Sequence, residues 1–261
     1  MRRLRIAELN EFLGRTGSFP IKVDRTRGES EDFEIYAEDL DGKSHLSRIL
    51  IKTIVQHGAF VIVFDLNDEY GGITTNYDGS PSSLAKQVRI LQCGKGLSFS
   101  LAYCGKAAIS NVLKNALDTP AASMREFFRI WDWLENRNNI EIEALGHAIN
   151  TWNINELVRD ALVSRLHVMQ ASRLFLQNPA DEIRFENIFS NKNKGTVIVV
   201  SMGKIIPLVR RMIVELVLNK LVDLLEKDMI PPIFMFAEEA HLYIRETYWE
   251  DIITDCLRFP D

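Results

Sequence analysis

Cysteine is scarce in this chain of 261 residues: Cys93, Cys104 and Cys256 are an odd number without a CxxC pair. That pattern excludes a disulfide framework and a zinc ribbon, and reads as reduced thiols. No apolar run reaches the roughly eighteen residues from which a membrane-spanning helix is read. The basic start Met1-Arg2-Arg3-Leu4-Arg5 leads to Glu8 and Glu11 instead of an apolar signal core, so a cytoplasmic protein with no membrane partner is expected. An excess of positive charge is lacking too. A formal net charge of −5 excludes coating nucleic acid by bulk charge, yet leaves a few positioned cations free to meet phosphates. The histidines show neither HExxH nor another metal-ligand spacing, and no internal repeat or low-complexity tract occurs. What remains is ordinary globular material, 46% hydrophobic and 26% charged, enough for one large α/β domain.

Hydrophobic periodicity divides that material. A short helix is expected over Ile6 to Leu13, then brief strands at Ile21-Lys22-Val23 and Phe33 to Ala37. Leu46, Ile49, Leu50, Ile54 and Val55 recur at helical spacing, with Gly58 as the C-cap. Phe60 to Phe64 is a continuous apolar run closed by Asp65, as in a strand buried on both faces. Short strands are expected at 88–91 and 97–101, and a helix from Lys106 to Leu117. From Ala121 to about Gln177 the pattern is helical without strands, opened by a capping box at Ser123-Met124-Arg125-Glu126. Trp131, Trp133 and Trp152 in this block read as packing ahead of a base-stacking platform. Strand Thr196 to Val200, a long helix and strand Ile233 to Ala237 then form a parallel crossover unit.

Two motifs carry the chemistry. Gly42-Lys43-Ser44 stands between an apolar strand and an apolar helix, and of four Gly-Lys pairs (42-43, 94-95, 105-106, 203-204) it alone is followed by Ser or Thr. A triphosphate needs many donors close together. Backbone N–H groups at a helix N-terminus supply them, Lys43 would reach the β/γ-phosphates, and Ser44 would hold magnesium. The full loop pattern asks for Gly at position 37, where Ala stands; in a left-handed conformation Ala costs about 1–2 kcal/mol there. Glu38, Asp39 and Asp41 add negative charge, so weakened nucleotide binding is expected. The second motif is Glu238-Glu239-Ala240-His241 after the strand 233–237. Glu238 suits the magnesium, through water, and Glu239 suits the general base that activates the attacking water. A GK[ST] tripeptide arises by chance in about one in ten chains of this length. Both motifs in order, each in its setting, are what counts.

These residues resemble the HerA branch of the HerA/FtsK superfamily of hexameric DNA-translocating ATPases. Phe60 to Tyr70, FVIVFDLNDEY, is similar to the family's strand and "DPHGEY" signature. Gly195 to Leu225 is similar to its strand and long helix, with the paired Arg210-Arg211 near the helix start, and Glu238 to His241 to its "EEAH/DEAH" element. The likeness covers roughly residues 20–250. It implies an α/β fold over 1–261: a RecA-like P-loop NTPase core with a mainly parallel central sheet and a helical insertion at about 120–178. It further implies ATP and Mg2+ as cofactors, a homo-oligomeric ring (a hexamer), duplex DNA, and a nuclease or other effector protein in DNA processing or phage defence. Lys192, Lys194, Lys204, Arg210 and Arg211 are the candidate DNA contacts. The chain ends about twenty residues past Glu239, so the C-terminal part of the family domain, with its arginine finger, is expected to be absent. Two other readings stay open: a catalytically weakened ring that serves as a scaffold for an effector, and a small-molecule P-loop kinase.

Overall fold

The computed structural model describes residues 22–25, 33–36, 40–75, 78–176, 182–190, 195–237 and 239–243. They belong to two compact units, Met1–Leu50 and Ile51–Asp261. The helix expected over Ile6–Leu13 and the candidates Lys192, Lys194 and Glu238 lie outside the described residues.

In the first unit, β1 (Lys22–Arg25) and β2 (Phe33–Tyr36) pair antiparallel, Val23 opposite Ile35. Helix α1 (Leu40–Gln56) starts in this unit, two residues before Gly42. It closes in the second unit at Gly58, whose φ of 84° suits a residue without a Cβ.

The second unit is built on a parallel sheet of five strands in the order β5-β4-β6-β3-β7. These are β3 (Phe60–Asp65), β4 (Val88–Cys93), β5 (Gly96–Leu97), β6 (Val197–Ser201) and β7 (Ile233–Ala237). All residues of β3 and β6 are buried, which is why both read as unbroken apolar runs. Side chains alternate between faces. Phe60, Ile62, Phe64, Ile198 and Val200 join one core with α2 (Leu101–Asn111) and α7 (Pro207–Glu226). Val61, Val63, Val197 and Val199 join the other, under Ile51, Ile54, Val55, Tyr70 and Leu84.

Between β5 and β6 the chain forms α3 (Ala121–Glu135), α4 (Ile142–Thr151), α5 (Glu156–Ala171) and the short α6 (Phe185–Ile188). Helices α3, α4 and α5 pack on one another through Phe127, Ile130, Trp131, Leu145, Ile149, Leu162 and Leu166.

Some local expectations move. Helix α3 starts at Ala121 behind Pro120, so Ser123 is a buried first-turn residue and not the cap. The 97–101 strand shortens to Gly96–Leu97 because Ser100 caps α2, its hydroxyl accepting the Tyr103 amide at 3.1 Å. The helix expected from Lys106 therefore begins earlier, is broken at Gly105, and ends in a π turn, Val112–Ala116. Among the described residues no helix is long and apolar enough to cross a membrane.

Candidate nucleotide site and the carboxyl edge of the sheet

Gly42, Lys43 and Ser44 are the third to fifth residues of α1. The first amides of a helix, here those of Leu40, Asp41 and Gly42, have no intrahelical acceptor. Amides at a helix start are the kind of donor that a phosphate accepts. The Lys43 and Ser44 side chains are outside the described residues.

In the second unit the chemistry gathers where the parallel strands end, the edge at which open α/β sheets bind ligands. β3 ends at Asp65, only 1% exposed. Its two carboxylate oxygens accept the amides of Glu69 and Tyr70, each at 3.0 Å, which folds residues 66–69 into a tight loop entering the 3-10 helix Tyr70–Thr74. Burial raises the Asp65 carboxyl above its ordinary value; the two amide bonds oppose this, and the charges of Asp68 and Glu69 add to it. Asp68 stands in the left-handed region, φ 59°. Its Oδ1 accepts the Ser201 hydroxyl at 2.5 Å, from the end of β6. Gln92, near the end of β4, donates weakly to the same hydroxyl at 3.5 Å. Three neighbouring strand ends are thus joined by side chains.

After β7, Glu239 takes a left-handed conformation, φ 46° and ψ 45°, and its carbonyl accepts the Leu242 amide at 2.9 Å. A non-glycine residue there carries about 1 kcal/mol of strain or more, and such strain concentrates at functional positions. The short 3-10 helix Ala240–Leu242 ends at Tyr243, which is 4% exposed with its ring 6.4 Å from that of Phe64. The turn that begins at Glu239 is therefore fastened to β3 by buried apolar contact. Phe64 is in register with Ala237, so Asp65 and the carboxylate-bearing turn leave adjacent strands at the same level.

The candidate cations of this unit differ in setting. Lys204 is exposed and Arg211 half-buried. Arg210 turns back on the β6–α7 turn: its Nε donates to the Met202 carbonyl at 3.1 Å and its Nη2 to the Gly203 carbonyl at 3.2 Å. Sequence reasoning passed over Ser201, met Asp68 only inside the FVIVFDLNDEY segment, and met Gly203 only as one of the Gly-Lys pairs.

A parallel sheet with helices on its core faces, carboxylates at its carboxyl edge and a GKS turn opening a helix define an α/β fold consistent with a RecA-like P-loop core. The family model described as "Helicase HerA, central domain" matches residues 41–221. The chain belongs to that family, and membership points to an ATPase of the HerA/FtsK superfamily. The matched segment takes in Gly42-Lys43-Ser44, Asp65, Asp68 and the Arg210-Arg211 pair, and ends before β7. No curated protein matches the chain.

The residues fit a magnesium nucleotide in kind. The GKS segment supplies amide donors, a lysine and a hydroxyl, and the turn after β7 supplies carboxylates. When bound, Mg2+ would draw charge off the β/γ-phosphates. Among the described residues no cluster of three His, Cys, Asp or Glu side chains could hold a metal ion.

Proposed function

We propose that this chain is an ATP-hydrolysing DNA translocase or helicase motor that works as a ring of identical subunits, a hexamer, on duplex DNA. The observation that carries the reading is the pairing of family membership over 41–221 with a strained Glu239 at the carboxyl edge of the sheet. Gly42 and the α1 amides bind phosphate, Lys43 neutralises the β/γ-phosphates, and Ser44 and Glu238 hold Mg2+. Glu239 is the base that orients and deprotonates the attacking water. Lys204 and Arg211 are the leading DNA contacts of the second unit, with Lys192, Lys194 and Arg210 as further candidates. A nuclease or another effector protein is the partner that such a motor serves, in DNA processing or phage defence.

The test is ATP turnover by the purified chain, with and without duplex DNA. Turnover is expected to rise with DNA, to vanish in Lys43→Ala, and to fall by about a hundredfold or more in Glu239→Gln while ATP stays bound. Undiminished hydrolysis by Lys43→Ala sinks the cradle assignment. Brisk turnover by Glu239→Gln removes Glu239 from the base role.

The second reading is a non-catalytic ring that holds an effector, and Ala37 in place of the first cradle glycine favours it. A ring seen by native mass spectrometry without any ATP turnover would select the scaffold.

A further inference from the structure

The turn between β6 and α7 is gripped by two charged side chains from different elements. From the β3 loop, the Asp68 carboxylate accepts the Ser201 hydroxyl and lies against Gly203. A Cβ on Gly203 would sit 2.4 Å from Asp68 Oδ2, so glycine is the residue that lets the carboxylate seat. From α7, Arg210 donates to the carbonyls of Met202 and Gly203. The amide of Met202 donates to Asp65 O at 2.8 Å, and that of Ile205 to Met202 O at 3.1 Å. The tip so held presents Lys204 and the 62%-exposed Ile206 to solvent.

We propose that Asp68 and Arg210 are positioning residues that clamp this turn and hold Lys204 in place for the nucleic acid. The inference rests on the motor reading above. It gives Asp68 a task that its charge alone would not suggest, because an acid beside a phosphate-binding lysine weakens the attraction unless it is needed to fix geometry. It also links two parts of the motor. Asp68 and Asp65 share one loop, so the turn bearing Lys204 is fastened to the sheet edge from which the Glu239 turn departs.

The experiment compares Asp68→Ala, Asp68→Asn, Gly203→Ala and the Asp68→Ala/Gly203→Ala double variant in the full chain. Two quantities are read: amide exchange over residues 202–206 and affinity for a short duplex. Melting curves identify any variant that fails to fold, and the set holds two independent routes to the same lesion. With the clamp, Asp68→Ala and Gly203→Ala each speed exchange in the turn and weaken duplex binding by about tenfold. The double variant is no worse than either single one, and Asp68→Asn, whose Oδ1 still accepts from Ser201, stays close to wild type. A simple charge effect gives the opposite sign, since removing Asp68 would tighten duplex binding. Equal or tighter binding by a folded Asp68→Ala therefore overturns the clamp, and leaves the motor reading standing if the wild-type chain binds DNA. A wild-type chain that binds no duplex overturns both.

Discussion

At the scale of single residues, buried polar atoms without a partner among the described residues include Thr119 Oγ1, Trp131 Nε1 and Arg159 Nε. Thr119 is 7% exposed, and its backbone amide already donates to the Leu113 carbonyl at 2.9 Å. The hydroxyl is therefore dispensable to the turn that ends the π segment, and desolvating it costs about 1–3 kcal/mol. Thr119→Val removes the hydroxyl at nearly constant shape. It is expected to stabilise the chain by about 1 kcal/mol, a rise of roughly 2–4 °C in melting temperature. A melting temperature that stays level or falls would mean that the hydroxyl finds a partner in solution. Glu239 shows the contrasting case, where a local cost is retained: its backbone is left-handed, φ 46°, at some cost in strain.

At the scale of elements, α2 shows how a helix made for one purpose is interrupted for another. Ser100 caps it, yet Gly105 sits inside it at φ 81° and ψ 164°, a region open essentially to glycine alone. No atom lies within 4 Å of a Cβ built there, so the obstacle to a side chain is purely backbone strain. Gly105→Ala is expected to cost about 1–3 kcal/mol in denaturant unfolding. Gly72→Ala, also in open space but at an ordinary φ, should stay within about 0.5 kcal/mol of wild type. Equal effects of the two would refute the strain argument.

Which elements were legible in the sequence follows the same physics. β3 and β6 were readable because strands inside a parallel sheet are apolar nearly throughout, and β7 because the edge strand is still an apolar run. α7 was readable because Val209, Met212, Ile213, Leu216, Val217, Leu221 and Leu224 recur along it, although it stops at Glu226, ahead of Pro231-Pro232. β4 was harder, since Arg89, Ile90 and Gln92 are exposed and alternation is lost. The helix was expected only from Lys106, just past the break at Gly105, because the turn before it, Leu101–Cys104, carries no helical period of its own. At the site, Glu239 was visible as an acid after a strand, whereas its left-handed backbone was not. Asp68 and Ser201 are separated by 133 positions, and only sheet register brings them together. Nothing local in either segment announces that contact.

At the scale of the whole molecule, a chain of net charge −5 that holds duplex DNA must do so through a few placed cations, with most of its surface repelling the polymer. Such binding depends steeply on salt, because each neutralised phosphate releases counterions. On the motor reading proposed above, Lys204, exposed at the tip of the β6–α7 turn, is a contact of this kind. Lys204→Ala is expected to weaken duplex binding at all sequences alike. It should also reduce the slope of log affinity against log salt by about 1 for each subunit whose Lys204 meets a phosphate. A ring that engages DNA with several subunits at once would show a change of several units from this one substitution, while a ring that grips through one subunit at a time would show about one. The salt slope thus reports how many copies hold the duplex together. An unchanged slope would place Lys204 off the DNA and shift the contact to the remaining cations.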